Sequence, residues 1–327
     1  MFGKGDNWRP VRPQTSYNRL TGKWLAFPAN LRGIIWLSAG TLVLALTDSV
    51  LKILGQTLHP VELSFFRYSV GFLMLAPVFW RMGVRGPGLL RTQRPGLHAL
   101  RLLLATLGQT GIFIALVNMK LADATALWFS KPLFTTVVAI FILSELVPPR
   151  RWVAMIIGFV GVIIMLRPGA GVVDPYALIA VGAALAMAMA NILIRVMAPT
   201  EPPNRILFYY HVGGVVLLAG PALWFWQTPS GWEWGLIVLL GAGQTFGMIC
   251  FVRGFSIGEA NAIAPSEYLR LIYAGLIGYF MFGESVDSWT IAGAAIIVGS
   301  TLYIAQDEAR RPVKNEPEKP PVPRRGP

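Results

Sequence analysis

The chain alternates between long apolar runs and short polar connections, without the strict polar–apolar alternation of half-buried strands. A helix needs roughly 20 apolar residues to cross a bilayer, and lipid requires its backbone groups to bond within the segment. The pattern therefore predicts an all-α integral membrane protein with ten transmembrane helices. We expect these spans, numbered 1 to 10, at residues 33–53, 61–80, 98–118, 124–144, 149–167, 176–196, 205–226, 234–253, 262–282 and 288–305.

Composition agrees with a protein that lies in lipid. Hydrophobic residues make up 54% of the chain and charged residues only 13%, whereas an ordinary soluble domain is about 25% charged. The single cysteine, Cys250, excludes a disulfide framework and a multi-cysteine metal site, and we expect neither a metal nor a cofactor. Charges are concentrated in a predicted basic cytoplasmic tail at 1–32 and a predicted disordered, Pro-rich cytoplasmic tail at 306–327.

Lysine and arginine are unequally divided between alternate connections. If the N-terminus is cytoplasmic, the outer connections keep only Lys120 and Arg167, while the inner segment after span 2 alone carries Arg81, Arg85, Arg91, Arg94 and Arg101. The positive-inside rule then places both termini in the cytoplasm, in a bacterial inner membrane. The formal net charge of +12 therefore indicates topology and attraction to anionic lipid headgroups, and we expect no nucleic-acid partner.

The two halves of the chain repeat each other after about 140 residues. Asp48 and Lys52 in span 1, like Asn191 and Arg195 in span 6, place a polar residue and a base four positions apart on one helical face. The same separation relates Arg67 to Tyr210 and Gly71 to Gly214, and the tripeptide at 108–110 recurs at 243–245.

An odd number of spans per half has a topological consequence. The second copy must enter the membrane from the opposite side, so residues 33–167 and 176–305 are predicted to be inverted five-helix repeats. Inverted repeats are common in secondary transporters, which hold the substrate near the midplane between the halves.

Several motifs resemble the EamA-type members of the drug/metabolite transporter superfamily. The likeness covers about residues 33–305 and is carried by residues 121–127, 130–134, Ser144-Glu145, 149–152 and 158–161 in the first half, and by 264–270, 282–284 and 293–298 in the second. It implies a ten-span carrier of amino acids, amines, nucleobases, vitamins or drugs. Lys131 departs from the family pattern, in which a small or neutral residue is usual.

Ionisable side chains at membrane depth identify a candidate site. Burying one costs about 2.5–3.5 kcal/mol or more, so such residues usually face a cavity or a partner. Arg270 is the first candidate because its planar fork suits a carboxylate or phosphate, although Glu267 and Arg270 could instead neutralise each other. The predicted substrate-binding residues are Arg270, Glu267, Tyr268, Lys131, Trp128, Arg67, Asn191, Tyr210 and Gln244.

Three residues are candidates for proton coupling: Asp48, Glu267 and His211. A carboxyl group held between protein and lipid can titrate near neutrality. In the alternative, Lys52 pairs with Asp48 one turn away or extends to the interface, and His211 is a hydrogen-bonded packing residue.

Spans 5 and 10 have no ionisable residue in their interiors, so we expect them outside the other eight as lipid-facing buttresses. Small residues repeat at helix-packing spacing in spans 6, 8 and 9. Pro132 and Pro265 lie inside spans 4 and 9 and are candidates for a hinge or a static kink.

The sequence as a whole predicts a secondary-active transporter of a small polar metabolite, by alternating access and in the direction of efflux. We expect a monomer or homodimer in contact with membrane lipid. A non-transporting receptor or assembly subunit is the alternative. An intramembrane enzyme is disfavoured because neither a His-Glu-x-x-His nor a Gly-x-Ser-x-Gly pattern occurs.

Overall fold

A computed structural model describes residues 27–85, 92–143, 148–167, 174–257 and 263–309, and all ten predicted spans are helical in it. Span 4 consists of two helices, and span 9 of a short 3₁₀ helix followed by an α-helix. In chain order, the helices are Ala29–Leu54, Pro60–Arg85, Pro95–Asn118, Leu121–Trp128 with Lys131–Leu143, Pro149–Leu166, Pro175–Met197, Pro203–Trp224, Gly231–Ile257, Ala264–Tyr268 with Leu269–Phe282, and Ser288–Ala309. The described residues contain no strand, and the all-α prediction is confirmed.

Some predictions fall on residues outside these ranges. They include the motif Ser144-Glu145 and most of both predicted tails, at 1–26 and 310–327.

Eight of the spans are long and apolar enough to cross a membrane by length and composition, counting only the described residues. Spans 2 and 9 are the other two. Span 2 carries Glu62 and Arg67 within its helix, and the α-helix of span 9 has only 14 residues after its 3₁₀ segment. Both spans carry residues of the candidate site: Arg67 lies on span 2, and Glu267 and Arg270 lie on span 9.

Proline begins five of the spans. Pro60, Pro95, Pro149, Pro175 and Pro203 each occupy the first helical position. The missing proline amide hydrogen costs nothing there, because the first amides of a helix have no partner within it. These residues fix where each apolar run turns helical.

The packing of the spans has an approximate two-fold symmetry. Span 1 packs on span 8 as span 6 packs on span 3, and span 9 contacts span 1 as the second helix of span 4 contacts span 6. Spans 2 and 7 pack on each other, and so do spans 5 and 10. Exchanging the halves maps each pairing onto another or onto itself, so the fold is two inverted five-helix repeats.

Small residues let the paired helices approach closely. A Cβ added at Gly40 would lie 2.9 Å from the Cβ of Cys250, in the contact between spans 1 and 8. In the equivalent contact between spans 3 and 6, a Cβ at Gly108 would lie 2.9 Å from the carbonyl oxygen of Ala183. On span 8, where small-residue packing is predicted, a Cβ at Gly247 would lie 2.8 Å from the Leu44 side chain. A larger side chain at any of these glycines would push the two halves apart.

Spans 5 and 10 form the predicted outer buttress. They contact each other through Gly161 and Gly293, where an added Cβ at Gly161 would lie 2.9 Å from the Gly293 carbonyl oxygen. Their outward faces expose large apolar side chains, including Ile156 and Ile291, as lipid contact requires.

The helices of spans 4 and 9 are interrupted at corresponding places in the two repeats. Span 4 breaks at Phe129 and Ser130, its second helix has Pro132 as its second residue, and Pro265 lies in the 3₁₀ helix of span 9. Proline removes a backbone hydrogen bond and clashes with the preceding turn, which explains both interruptions. Discontinuous helices in equivalent positions mark the substrate site in several transporter folds.

Candidate substrate site between the two halves

Asp48 and Arg270 join the two repeats by an ion pair. The Nη2 and Nε atoms of Arg270 donate to Oδ2 of Asp48 at 2.6 and 3.2 Å. Asp48 is almost fully buried and the Arg270 side chain is 19% exposed. The buried Asp48 carboxylate is therefore held by an arginine whose own side chain is partly exposed. Arg270 is also within electrostatic range of Glu267, but its hydrogen-bonded partner is Asp48.

Glu267 and Lys131 lie at the two helix interruptions and are half-buried. Each is within electrostatic range of the other, and both are within range of Arg270. Neither side chain has a hydrogen bond to another described residue. The interruptions thus bring one carboxylate and one ammonium group close together without pairing them directly.

Two aromatic residues flank these charges. The Lys131 Nζ atom lies 5.3 Å from the centre of the Trp128 ring, which is within cation–π range. Tyr268 packs 5.0 Å from Phe129, and its hydroxyl group is hydrogen-bonded to Thr301 on span 10. Asp48, Glu267, Arg270, Lys131, Trp128 and Tyr268 are called the charged centre below.

Arg67 and Tyr210 meet on the pseudo-two-fold axis, where spans 2 and 7 pack together. The Nη1 atom of Arg67 donates to the Tyr210 hydroxyl oxygen at 3.1 Å. Arg67 and Tyr210 occupy equivalent positions in the two repeats. Residues near a two-fold axis contact their own counterparts, so the pair related by the repeat is also in contact. Arg67 is also within electrostatic range of Asp48, so the axis adjoins the charged centre.

The neighbouring pairs show the same symmetry. A Cβ on Gly71 would lie 2.9 Å from the His211 ring, and one on Gly214 would lie 2.5 Å from the Tyr68 ring. Each glycine therefore makes room for an aromatic ring of the opposite half. The His211 Nδ1 atom lies 3.0 Å from the Leu207 carbonyl oxygen, a contact that fits the packing interpretation of this histidine.

The two predicted amides lie apart from one another. The Gln244 Nε2 atom donates to the Thr47 hydroxyl oxygen at 3.2 Å, beside Asp48. Asn191 is half-buried on span 6, which packs against spans 3 and 4. The structure thus brings Gln244 close to the charged centre and leaves Asn191 without a hydrogen bond to the described residues of that centre.

Lys52 does not pair with Asp48. Its Nζ atom instead contacts the Glu284 carboxylate and the Met119 carbonyl oxygen, and Lys52 is only 7% exposed. The alternative in which Lys52 pairs with Asp48 is therefore wrong. The reason is tertiary, since the connection between spans 9 and 10 places Glu284 over the end of span 1.

Other polar contacts at this end also join the two halves. The Leu121 amide donates to Glu284 at 2.7 Å, the Arg167 guanidinium bonds to Asp287, and the Thr290 hydroxyl donates to Asp123 at 2.8 Å. With the Lys52 contacts, these bonds form what we call the outer-end network, after its side in the predicted topology. The hydrogen bond from Arg167 lowers the pKa of Asp287 below its ordinary value.

The opposite end has its own anchor in Glu201, between spans 6 and 7. This buried carboxylate accepts from the Thr92 hydroxyl at 2.6 Å and from Arg205 Nη1 at 2.8 Å. Burial alone would raise the pKa of Glu201, but these bonds and the Gln93 amide lower it to about 2. Glu201 is thus an ionised link between two connections of different halves.

Sequence reasoning missed Arg101, which had been assigned to the inner connection. Span 3 begins at Pro95, so Arg101 lies within the helix, 7% exposed. Its guanidinium carbon lies 5.1 Å from the centre of the Tyr210 ring. Arg101 is counted with the inner connection in the sequence-based topology although predicted span 3, at 98–118, already contains it. No group of three or more potential metal ligands occurs in the described part of the chain.

The chain is similar in sequence to known transport proteins and in fold to a solved structure. Residues 31–167 and 174–306 each match the EamA-like transporter family. The chain is 34% identical to an S-adenosylmethionine uptake transporter of Rickettsia prowazekii, over 87% of this chain and 96% of that protein. It is 28% identical to a riboflavin transporter of Vibrio cholerae, over 86% of this chain and 95% of that protein. A crystal structure with 20% sequence identity has the same fold, with a TM-score of 0.56 and coverage of 86% and 98% of the two chains.

Proposed function

The chain belongs to the EamA-like transporter family, whose members move small metabolites, and we propose that it carries a zwitterionic organic cation of the S-adenosylmethionine type. The observation that supports this substrate class is the arrangement of Glu267 and Lys131. Opposite charges lie close together there, without a hydrogen bond to another described residue.

A zwitterion complements these two groups. The Lys131 ammonium would donate hydrogen bonds to the carboxylate of the amino-acid portion, and the Glu267 carboxylate would accept from its ammonium group or lie against the sulfonium charge. The faces of Trp128 and Tyr268 suit a purine ring or a sulfonium cation, which an aromatic quadrupole attracts. In this arrangement Arg270 and Asp48 hold each other in place between spans 1 and 9.

The transport cycle that we propose is alternating access between residues 33–167 and 176–305. Both interruptions and the charged centre lie where the two repeats meet, and this is where inverted-repeat carriers hold their substrates. The outer-end network and Glu201 join the halves at opposite ends. One set of these contacts would have to break for the site to open on that side.

Several further proposals concern how the carrier works. The direction of transport would be efflux, and protons would be coupled through Asp48, Glu267 or His211. The carrier would be a monomer or homodimer in contact with lipid, with both termini on the cytoplasmic side of a bacterial inner membrane. The relative from Rickettsia prowazekii is named an uptake transporter. Flux should therefore be measured in both directions, with and without a proton gradient.

The test of the substrate class uses proteoliposomes and radiolabelled S-adenosylmethionine. We expect saturable flux that excess S-adenosylmethionine suppresses and that riboflavin leaves unchanged. S-Adenosylhomocysteine, which lacks the sulfonium charge, should compete at least about tenfold less well, because a desolvated cation over an aromatic face contributes about 2 kcal/mol. Transport of riboflavin without transport of S-adenosylmethionine would contradict the proposal.

A further inference from the structure

We propose that Arg67 and Arg101 form an additional anion-binding site between spans 2, 3 and 7, for a carboxylate or a phosphate-type oxyanion. The two arginines come from neighbouring spans of the first half. They converge on Tyr210 of the second half, to which Arg67 donates at 3.1 Å and over whose ring Arg101 lies at 5.1 Å. Both are also within electrostatic range of His211.

Both guanidinium groups retain unused donors. The Nε atoms of Arg67 and Arg101 are buried and have no hydrogen-bond partner among the described residues. Among the described residues, Arg101 donates one side-chain hydrogen bond, to the Ile206 carbonyl oxygen at 3.5 Å, although this arginine is only 7% exposed. The buried hydroxyl groups of Tyr68 and Thr106 lie near each other, and that of Tyr68 also lies near Arg67 and Tyr210, but neither hydroxyl makes a contact with full hydrogen-bond geometry among the described residues.

The site also has unbalanced positive charge. No carboxylate of the described residues forms an ion pair with Arg67 or Arg101. The acid within electrostatic range of Arg67 is Asp48, whose carboxylate Arg270 already holds by two hydrogen bonds. A buried cation without a counter-ion is strongly unfavourable, so an anion bound here would stabilise the protein.

The unused donors suit an oxyanion with more than one oxygen atom. A guanidinium fork binds carboxylate or phosphate oxygens in pairs, and two forks with neighbouring hydroxyl groups surround such a group on several sides. Arg67 is only half-buried, so the site adjoins open space. Because Arg101 and Tyr210 belong to different repeats, the bound anion would also stabilise this arrangement of the two halves.

The oxyanion could have two sources. It could be a small anion that binds beside the substrate, or it could be the carboxylate of the substrate, bound here in place of Lys131. The inference does not depend on the identity of the substrate, since the unused donors are present in either case.

The first experiment measures thermal unfolding of the purified full-length protein in sodium chloride, acetate or phosphate at equal ionic strength. We expect acetate or phosphate to raise the unfolding midpoint of the wild type above its value in chloride. Arg101→Gln should abolish this increase, and Arg101→Lys should reduce it because the fork is lost. Arg151→Gln is the matched control, since Arg151 is equally buried but pairs with Asp307 between spans 5 and 10. Its increase should equal that of the wild type.

The second experiment identifies the source by comparing the binding of S-adenosylmethionine with that of its decarboxylated analogue. If the substrate supplies the carboxylate, the wild type should prefer S-adenosylmethionine by about tenfold to a hundredfold, and Arg101→Gln should abolish the preference. If a separate anion binds, the variant should keep the wild-type ratio while losing the effect of acetate or phosphate.

The inference is wrong if neither oxyanion raises the wild-type midpoint above that in chloride, or if Arg101→Gln keeps the full wild-type increase, because phosphate also stabilises folded proteins without a specific site. If Arg101→Gln fails to fold, the wild-type salt series together with Arg101→Lys tests the anion site in its place. Failure of the proposed substrate would be distinct. S-Adenosylmethionine would then not bind, while acetate or phosphate would still stabilise the wild type through Arg101.

Discussion

The outer-end network and the Glu267–Lys131 pair of the charged centre use the same kinds of side chain in opposite ways. In the outer-end network, the Glu284 carboxylate bonds to Lys52 and to the Leu121 amide, and Asp287 bonds to Arg167. In the charged centre, Glu267 and Lys131 have no hydrogen bond to another described residue. Both regions lie between the two halves, so their position alone does not explain the difference.

The difference lies in how the backbone presents the side chains. Glu284 follows Gly283, whose positive φ of 65° ends the helix of span 9 and turns the next residue onto span 1. Glu267 and Lys131 instead lie beside helix interruptions on facing spans. Charges that are fully bonded within the protein stabilise the fold, whereas charges kept close but unbonded are available to a ligand. The following predictions test this distinction.

The largest effect is expected for Arg270→Ala. It should abolish transport and lower the free energy of unfolding by about 3–5 kcal/mol, because Asp48 would remain buried without its partner. Flux in proteoliposomes and chemical denaturation measure the two effects. The double variant Asp48→Asn/Arg270→Ala should recover stability without recovering transport. Unchanged flux in the single variant would remove Arg270 from the site.

Glu267→Gln should separate binding from stability. We expect affinity for S-adenosylmethionine to fall at least about tenfold, since a charged hydrogen bond to the ligand is lost, with little change in the unfolding midpoint. Isothermal titration and a thermal melt of the same sample measure both quantities. The control is Asp174→Asn, an exposed helix cap, which should leave binding unchanged. Wild-type affinity in Glu267→Gln would contradict the assignment.

Glu284→Gln should show the reverse behaviour. Weakening its bonds to Lys52 and the Leu121 amide should lower the free energy of unfolding by about 1–3 kcal/mol. Affinity for the substrate should stay within about threefold of the wild type, because this residue lies outside the charged centre. If instead binding were lost and stability kept, the two regions would have been assigned the wrong roles.

Asp48→Asn should flatten the pH dependence of transport if this carboxylate carries the coupled proton. The measurement is the initial rate of flux across a series of pH values, with Thr47→Val as a neighbouring control that removes no charge. An identical pH profile in wild type and variant would exclude coupling through Asp48 and leave Glu267 and His211 as the candidates.

The smallest effect is expected at Glu201, whose folded-state pKa is about 2. A lowered carboxyl pKa contributes stability above the unfolded-state value of about 4.3, and this contribution is lost as the pH falls toward 2. Stability should therefore be constant near neutral pH and should decrease in acid. In Glu201→Gln, the midpoint should be lower near neutral pH and should depend less on pH between 5 and 3. Parallel curves for the two proteins would contradict this role.

The sequence predicted the fold better than it predicted the contacts. Long apolar runs bounded by proline gave the ten spans, and the offset between Asp48 and Asn191 gave the repeat. Span 4 was predicted as one helix, but it is interrupted at Phe129 and Ser130. Lys52 was given the wrong partners, because residue spacing along a helix says nothing about a loop that arrives from more than two hundred positions away.

The sequence by itself determined what lies in lipid, how many times the chain crosses, and that the crossings form two inverted copies. Those properties depend on local hydrophobicity, proline positions and internal similarity, all of which can be read directly from the amino-acid sequence. Only the tertiary structure decided which charges pair. Asp48 and Arg270, Lys52 and Glu284, and Arg67 and Tyr210 each meet across the interface of the halves. Such contacts depend on the relative position of two packed helices, and a periodic pattern within either helix does not contain that information.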